Sequence, residues 1–129
     1  PSQIGSVEFA VEQFGVPLVV VMGHSQCGAV EATVQSLQHN EDQGSPNIAA
    51  IVQRIRPAVE PLVAAEGAQH PEQLMEAAVR ANVLASVDQL RHGSRFLEQQ
   101  AGAGSLLIVG AEYSLQSGVV EFLQGDNTA

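Results

Sequence analysis

A single cysteine, no lysine, no tryptophan and few aromatics set the first limits on this 129-residue chain. One thiol, Cys27, cannot form an internal disulfide, so the fold does not depend on an oxidising compartment. Aromatics are 4% of residues while apolar residues are 45%, so the core must come from Val, Leu, Ile and Ala, which suits helices packed on a sheet. Positive charge is scarce as well. Five basic residues, all arginine and none before Arg54, face fourteen acidic ones, for a net charge of −9. That field repels phosphate and argues against nucleic acid or an anionic membrane surface as a partner. No apolar run approaches the ~20 residues that span a bilayer, and no signal-peptide pattern is present. The expected setting is therefore the cytoplasm. At this length one core is the default: a single domain, 1–129, burying somewhat under ~70% of its unfolded surface. Only the tail, 125–129, reads as disordered.

The pattern that is present alternates between two periods. Val7, Ala10, Val11 and Phe14 recur at helical spacing, with Ser2 or Ser6 as a cap and Gly15 as a stop. The run 16–22, Val-Pro-Leu-Val-Val-Val-Met, is too short for a helix and does not alternate, so it predicts a strand covered on both faces. Val30, Thr33, Val34 and Leu37 mark a second helix, ended by the polar loop 39–46. A third starts near Asn47 with Ile48, Ile51, Val52 and Ile55 on one face, and Pro57 and Pro61 should kink or break it. Pro71 opens a long helix striped by Met75, Val79, Asn82, Val83, Ser86, Val87 and Leu90. Ser94 can cap a short one through Phe96 and Leu97. Strands are expected at 105–111 and 119–123, the second folded back antiparallel. The order of elements gives an α/β fold, mainly a parallel sheet flanked by helices with a C-terminal antiparallel strand.

The stretch Gly23-His24-Ser25-Gln26-Cys27-Gly28-Ala29-Val30 stands where the first strand gives way to a helix. Ligand crevices of open α/β sheets lie beyond the carboxyl ends of the strands. A cysteine in the first turn of a helix meets free N–H groups and a dipole that favour thiolate, and Gly28 beside it lets backbone approach closely. Three readings follow from the residues. His24 and Cys27 can be a metal pair, since imidazole and thiolate are both zinc donors. They can be a nucleophile and its base. Or Cys27 is a small buried hydrophobe beside a turn histidine. A phosphatase-like loop is poorly supported, because Thr33 stands where an arginine would be required. His39 lies about 18 Å along the second helix from Cys27, too far to share its ion, and His70 and His92 are expected at the surface.

These residues resemble the β-class carbonic anhydrases. The similarity runs through Ser6-Val-Glu-Phe-Ala-Val11, Leu18-Val-Val-Val-Met-Gly-His-Ser-Gln-Cys-Gly-Ala-Val30, Ala81-Asn82-Val83, Leu107-Ile-Val-Gly-Ala111 and Gly118-Val-Val-Glu-Phe-Leu123, in family order over nearly the whole chain. The resemblance implies a zinc enzyme, a lyase interconverting carbon dioxide with bicarbonate and a proton. It implies Zn²⁺ held in part by His24 and Cys27, and a homo-oligomer, a dimer or a larger even assembly.

The departures from the family pattern are equally specific. The family's first zinc cysteine belongs to a Cys-x-Asp-x-Arg segment upstream of the helix that begins here near Ser6, and this sequence contains neither that segment nor a second cysteine. The family's Asp-Arg pair at the fourth zinc position is missing with it. The chain thus looks like the carboxyl-terminal portion of a carbonic anhydrase. Catalytic zinc takes three protein ligands and an open position, so the missing donor must come from another segment or another polypeptide. The alternative is a non-catalytic carbonic-anhydrase-like module or truncated fragment with weak or no zinc binding; a third is a thiol enzyme using Cys27 with His24. Strand pairing points the same way. The two later strands can flank the first only if their hairpin straddles it, which short connections disfavour. Otherwise an apolar edge is left to pair with an absent segment or with another chain.

Overall fold

The computed structural model describes residues 1–40, 44–66 and 70–123. Its first strand, β1 (Leu18–His24), lies beside β2 (Leu107–Tyr113) in parallel, and β3 (Val120–Leu123) pairs antiparallel with β2, giving the order β1-β2-β3. Around them run α1 (Ser2–Phe14), α2 (Gly28–His39), α3 (Pro46–Glu66), α4 (Pro71–Gly93) and α5 (Arg95–Gly102). This is the expected α/β arrangement, with the last strand folded back antiparallel as expected. The tail 125–129 and part of the 39–46 loop lie outside the described residues.

Several local expectations hold for clear reasons. Gly15 ends α1 in the left-handed region, φ 61°, where its N–H reaches the Val11 carbonyl at 3.0 Å. Ser94 caps α5 by accepting from the Leu97 N–H, and its hydroxyl donates to Glu8 on α1, which ties the two helices together. Neither Ser2 nor Ser6 caps α1; the Ser6 hydroxyl instead donates back to the Ser2 carbonyl.

Other expectations fail. α3 runs unbroken for 21 residues with Pro57 and Pro61 inside it. The two rings are four residues apart on one exposed face, so the carbonyls they leave without donors can be hydrated. On the same helix Val52 and Ile55 are buried as expected, but Ile48 and Ile51 are about half exposed, at 51% and 52%. β1 starts and ends two residues later than the apolar run suggested, which makes His24 its last residue rather than part of the turn. Nor is β1 covered on both faces. Its burial alternates strictly: Val19 and Val21 are half-buried, while Leu18, Val20 and Met22 are exposed. The alternation arises because the helices that pack on this strand gather on one side of the sheet.

That side is organised by α4. Val30, Val34, Ile55, Val59, Leu74, Ala78 and Val79 form one apolar cluster among α2, α3 and α4. Val11, Val87, Leu97, Leu106 and Ile108 form a second, joined by Val19 and Val21, between the helices and the sheet. α4 touches β1 and β2 directly. Two glycines make that approach possible. A Cβ built on Gly23 would lie 2.5 Å from Val83 Cγ2, and one on Gly110 would lie 2.9 Å from Val83 Cγ1. Val83, 3% exposed, is thus seated over the bare backbone of two adjacent strands. By contrast nothing lies within 4 Å of a Cβ on Gly28, so the close approach expected there is made at Gly23.

Candidate metal centre

The sequence places an apolar strand before a polar turn, and the structure turns this into a fixed corner. β1 and β2 stay in register to their carboxyl ends, where His24 stands opposite Tyr113. Ser25 extends the ladder by one bond, its N–H donating to the Tyr113 carbonyl at 3.0 Å. The Ser25 hydroxyl accepts from the Leu115 N–H at 2.9 Å, which pins the corner to the loop between β2 and β3. Gln26 then takes a left-handed conformation, φ 55°, that reverses the chain toward α2.

His24 is exposed, and its Nδ1 lies 2.9 Å from the Ser25 carbonyl oxygen. Cys27 is the N-cap of α2, one step before the first turn in which the sequence placed it. Its carbonyl accepts the Glu31 N–H at 2.9 Å, while its side chain makes no cap bond. The thiol is free and half-buried, packed with Ala29 and Met75 against the cluster of α2, α3 and α4. One ligand candidate is therefore anchored by the sheet and the other by the helical core, on either side of a two-residue turn. The remaining histidines are exposed, as expected: His39 ends α2, His70 precedes α4, and His92 lies 3.5 Å from Asp88 on the same helix.

Imidazole and thiolate fit a zinc ion by donor type. Among the described residues, however, no group of three or more His, Cys, Asp or Glu side chains is placed to hold a metal. His24 and Cys27 would supply two donors, one short of the three protein ligands that catalytic zinc requires.

Sequence reasoning passed over the neighbours that hold this corner. The Ser25 bonds depend on which residue of β2 lies beside His24, and that follows only once the two strands are set in parallel register. Arg80 of α4 was missed as well. It donates to Glu112 of β2 at 3.3 Å and to Glu121 of β3 at 3.2 Å, bridging two carboxylates that face each other across the strands. Glu112 in turn stands opposite Gly23, next to the corner. No periodicity signals such a bridge, because its three members come from three elements.

Comparison with known proteins supplies the context. The family model described as carbonic anhydrase matches residues 1–120. A carbonic anhydrase of Mycolicibacterium smegmatis is 37% identical over 118 residues, covering 92% of this chain and 54% of that protein. One from Pseudomonas aeruginosa is 35% identical over 123 residues, covering 93% of this chain and 52% of its own length. The chain spans about half the length of the curated relatives it matches. Among solved structures, a Coccomyxa β-carbonic anhydrase in complex with acetazolamide superposes with a TM-score of 0.77 at 20% identity, covering 93% of this chain and 52% of that one. A β-carbonic anhydrase from Sordaria macrospora, described as tetrameric, gives 0.77 at 16% identity, with 96% and 60% covered. The chain belongs to the carbonic anhydrase family and has the fold of its β class.

Proposed function

We propose that this chain carries the His24–Cys27 part of a zinc site for the reversible hydration of carbon dioxide to bicarbonate and a proton. The observation that carries the reading is the position of this pair, flanking the corner at the carboxyl end of β1, in a chain that the carbonic anhydrase family matches over residues 1–120. The ion would supply Lewis acidity that makes water reactive toward carbon dioxide at neutral pH. The chain's own residues do the rest: Cys27 offers sulfur from the start of α2, His24 offers a ring nitrogen from the end of β1, and Ser25 holds the corner between them. A third donor is to come from another segment or another polypeptide.

The working form is proposed to be a homo-oligomer, which the open apolar face of β1 favours. A cytoplasmic setting is part of the proposal, since a cysteine ligand must stay reduced. Zinc content and carbon dioxide hydration, measured together on purified protein, test the reading. Stoichiometric zinc with hydration activity, both lost in Cys27→Ala and His24→Ala, is the expected result. Folded protein that takes up no zinc would favour the second reading, a non-catalytic carbonic-anhydrase-like module; the absence of a three-donor cluster among the described residues is the observation on its side.

A further inference from the structure

We infer that Ser25 is a positioning residue for His24: it fixes which ring nitrogen carries the proton, and so which one is offered to a metal. The inference rests on the proposed zinc site for its purpose, but not for its geometry. The Ser25 carbonyl oxygen, 2.9 Å from His24 Nδ1, has no proton to give. Nδ1 must therefore be the donor, and in a neutral imidazole a proton on Nδ1 leaves Nε2 bare. Neutral histidine in water favours the opposite form, with the proton on Nε2. The corner thus reverses the intrinsic preference and presents Nε2 as the free donor.

The carbonyl holds that aim because Ser25 is fixed at two other points. Its N–H is committed to the Tyr113 carbonyl at 3.0 Å and its hydroxyl to the Leu115 N–H at 2.9 Å. Both anchors belong to β2 and the loop after it, and Leu115 lies ninety residues downstream of Ser25. A metal-binding histidine is typically oriented by the hydrogen bond its second nitrogen makes, and losing such a partner typically costs 10–100-fold in metal affinity. Here the partner is a backbone carbonyl, so the side chain to alter is the hydroxyl that steadies it.

Imidazole nitrogen-15 NMR of the metal-free protein, in alkaline buffer, tests the inference. The expected spectrum shows His24 with its proton on Nδ1 and a bare Nε2. Ser25→Ala should move the population toward the Nε2–H form and weaken Co²⁺ binding by up to about 10-fold, the low end of what losing the partner itself costs, while Ser25→Thr, which keeps the hydroxyl, should restore both. A merely structural serine would lower the melting temperature in Ser25→Ala and leave the tautomer unchanged. A wild-type spectrum with the proton on Nε2 overturns the inference without any variant. The expected tautomer in a protein that takes up no Co²⁺ would uphold the positioning role and sink the zinc reading, so the two can fail separately.

Discussion

At the scale of single residues, the most demanding positions are those where backbone meets side chain without room to spare. Gly23 precedes the candidate ligand His24, and the physical reason for glycine there is Val83, whose Cγ2 would stand 2.5 Å from any Cβ. Val83 is β-branched and locked in a helix, so it has little rotamer freedom with which to retreat. Gly23→Ala is expected to cost about 1–3 kcal/mol through overpacking, read as a lower urea midpoint at unchanged slope. Combining it with Val83→Ala should cost less than the sum of the two single changes, since the clash disappears with the valine methyls. Gly28 is the control five residues away. A Cβ there meets nothing, the position is the first of α2, and Gly28→Ala should stabilise by about 0.4–1 kcal/mol. Equal costs at the two glycines would contradict the account of the seat.

Among the elements, the sheet is held to α4 by packing, by the Arg91 guanidinium donating to the Ile108 carbonyl at 2.8 Å, and by a charged bridge from Arg80. Glu112 and Glu121 face each other on β2 and β3, an arrangement that repels unless a cation intervenes, and Arg80 reaches both. The arginine side chain is 47% exposed and that of Glu121 is 61% exposed, so solvent screens the interaction. Arg80→Ala is expected to cost on the order of 1 kcal/mol, less in high salt, and a cost that does not change with salt would show that the bridge acts through packing instead. The elements themselves were largely legible beforehand. The stripe on α4, the caps at Gly15 and Ser94 and the two buried-type runs that became β1 and β2 all follow from periodicity and turn chemistry. What was not legible depends on tertiary arrangement. An unbroken apolar run cannot say whether its second face is covered, so β1 was read as doubly buried although Leu18, Val20 and Met22 are exposed. Prolines at Pro57 and Pro61 read as breakers because the sequence does not reveal that both face water. In the candidate site the two donors were readable from His-x-x-Cys at a strand end, whereas the serine bonds that steady the corner were not.

For the molecule as a whole, an apolar face of the sheet is left uncovered among the described residues. Leu18, Val20, Met22, Leu107 and Phe122 share a face by strand register, and their exposures run from 37% to 59%. β1 is also an edge strand with unpaired backbone groups and no charge or proline within it to discourage pairing. The purified chain is therefore expected to self-associate with rising concentration in sedimentation experiments. Val20→Lys should shift it toward monomer while changing stability by no more than about 0.5 kcal/mol; a wild-type chain that stays monomeric would remove this support for the oligomer. The central claim concerns one ion and two side chains. X-ray absorption at the zinc edge of zinc-loaded protein tests it most directly: the account predicts sulfur and imidazole in the same first shell, with sulfur lost in Cys27→Ser and imidazole reduced in His24→Ala. A shell without sulfur, or one unchanged by either substitution, would contradict it.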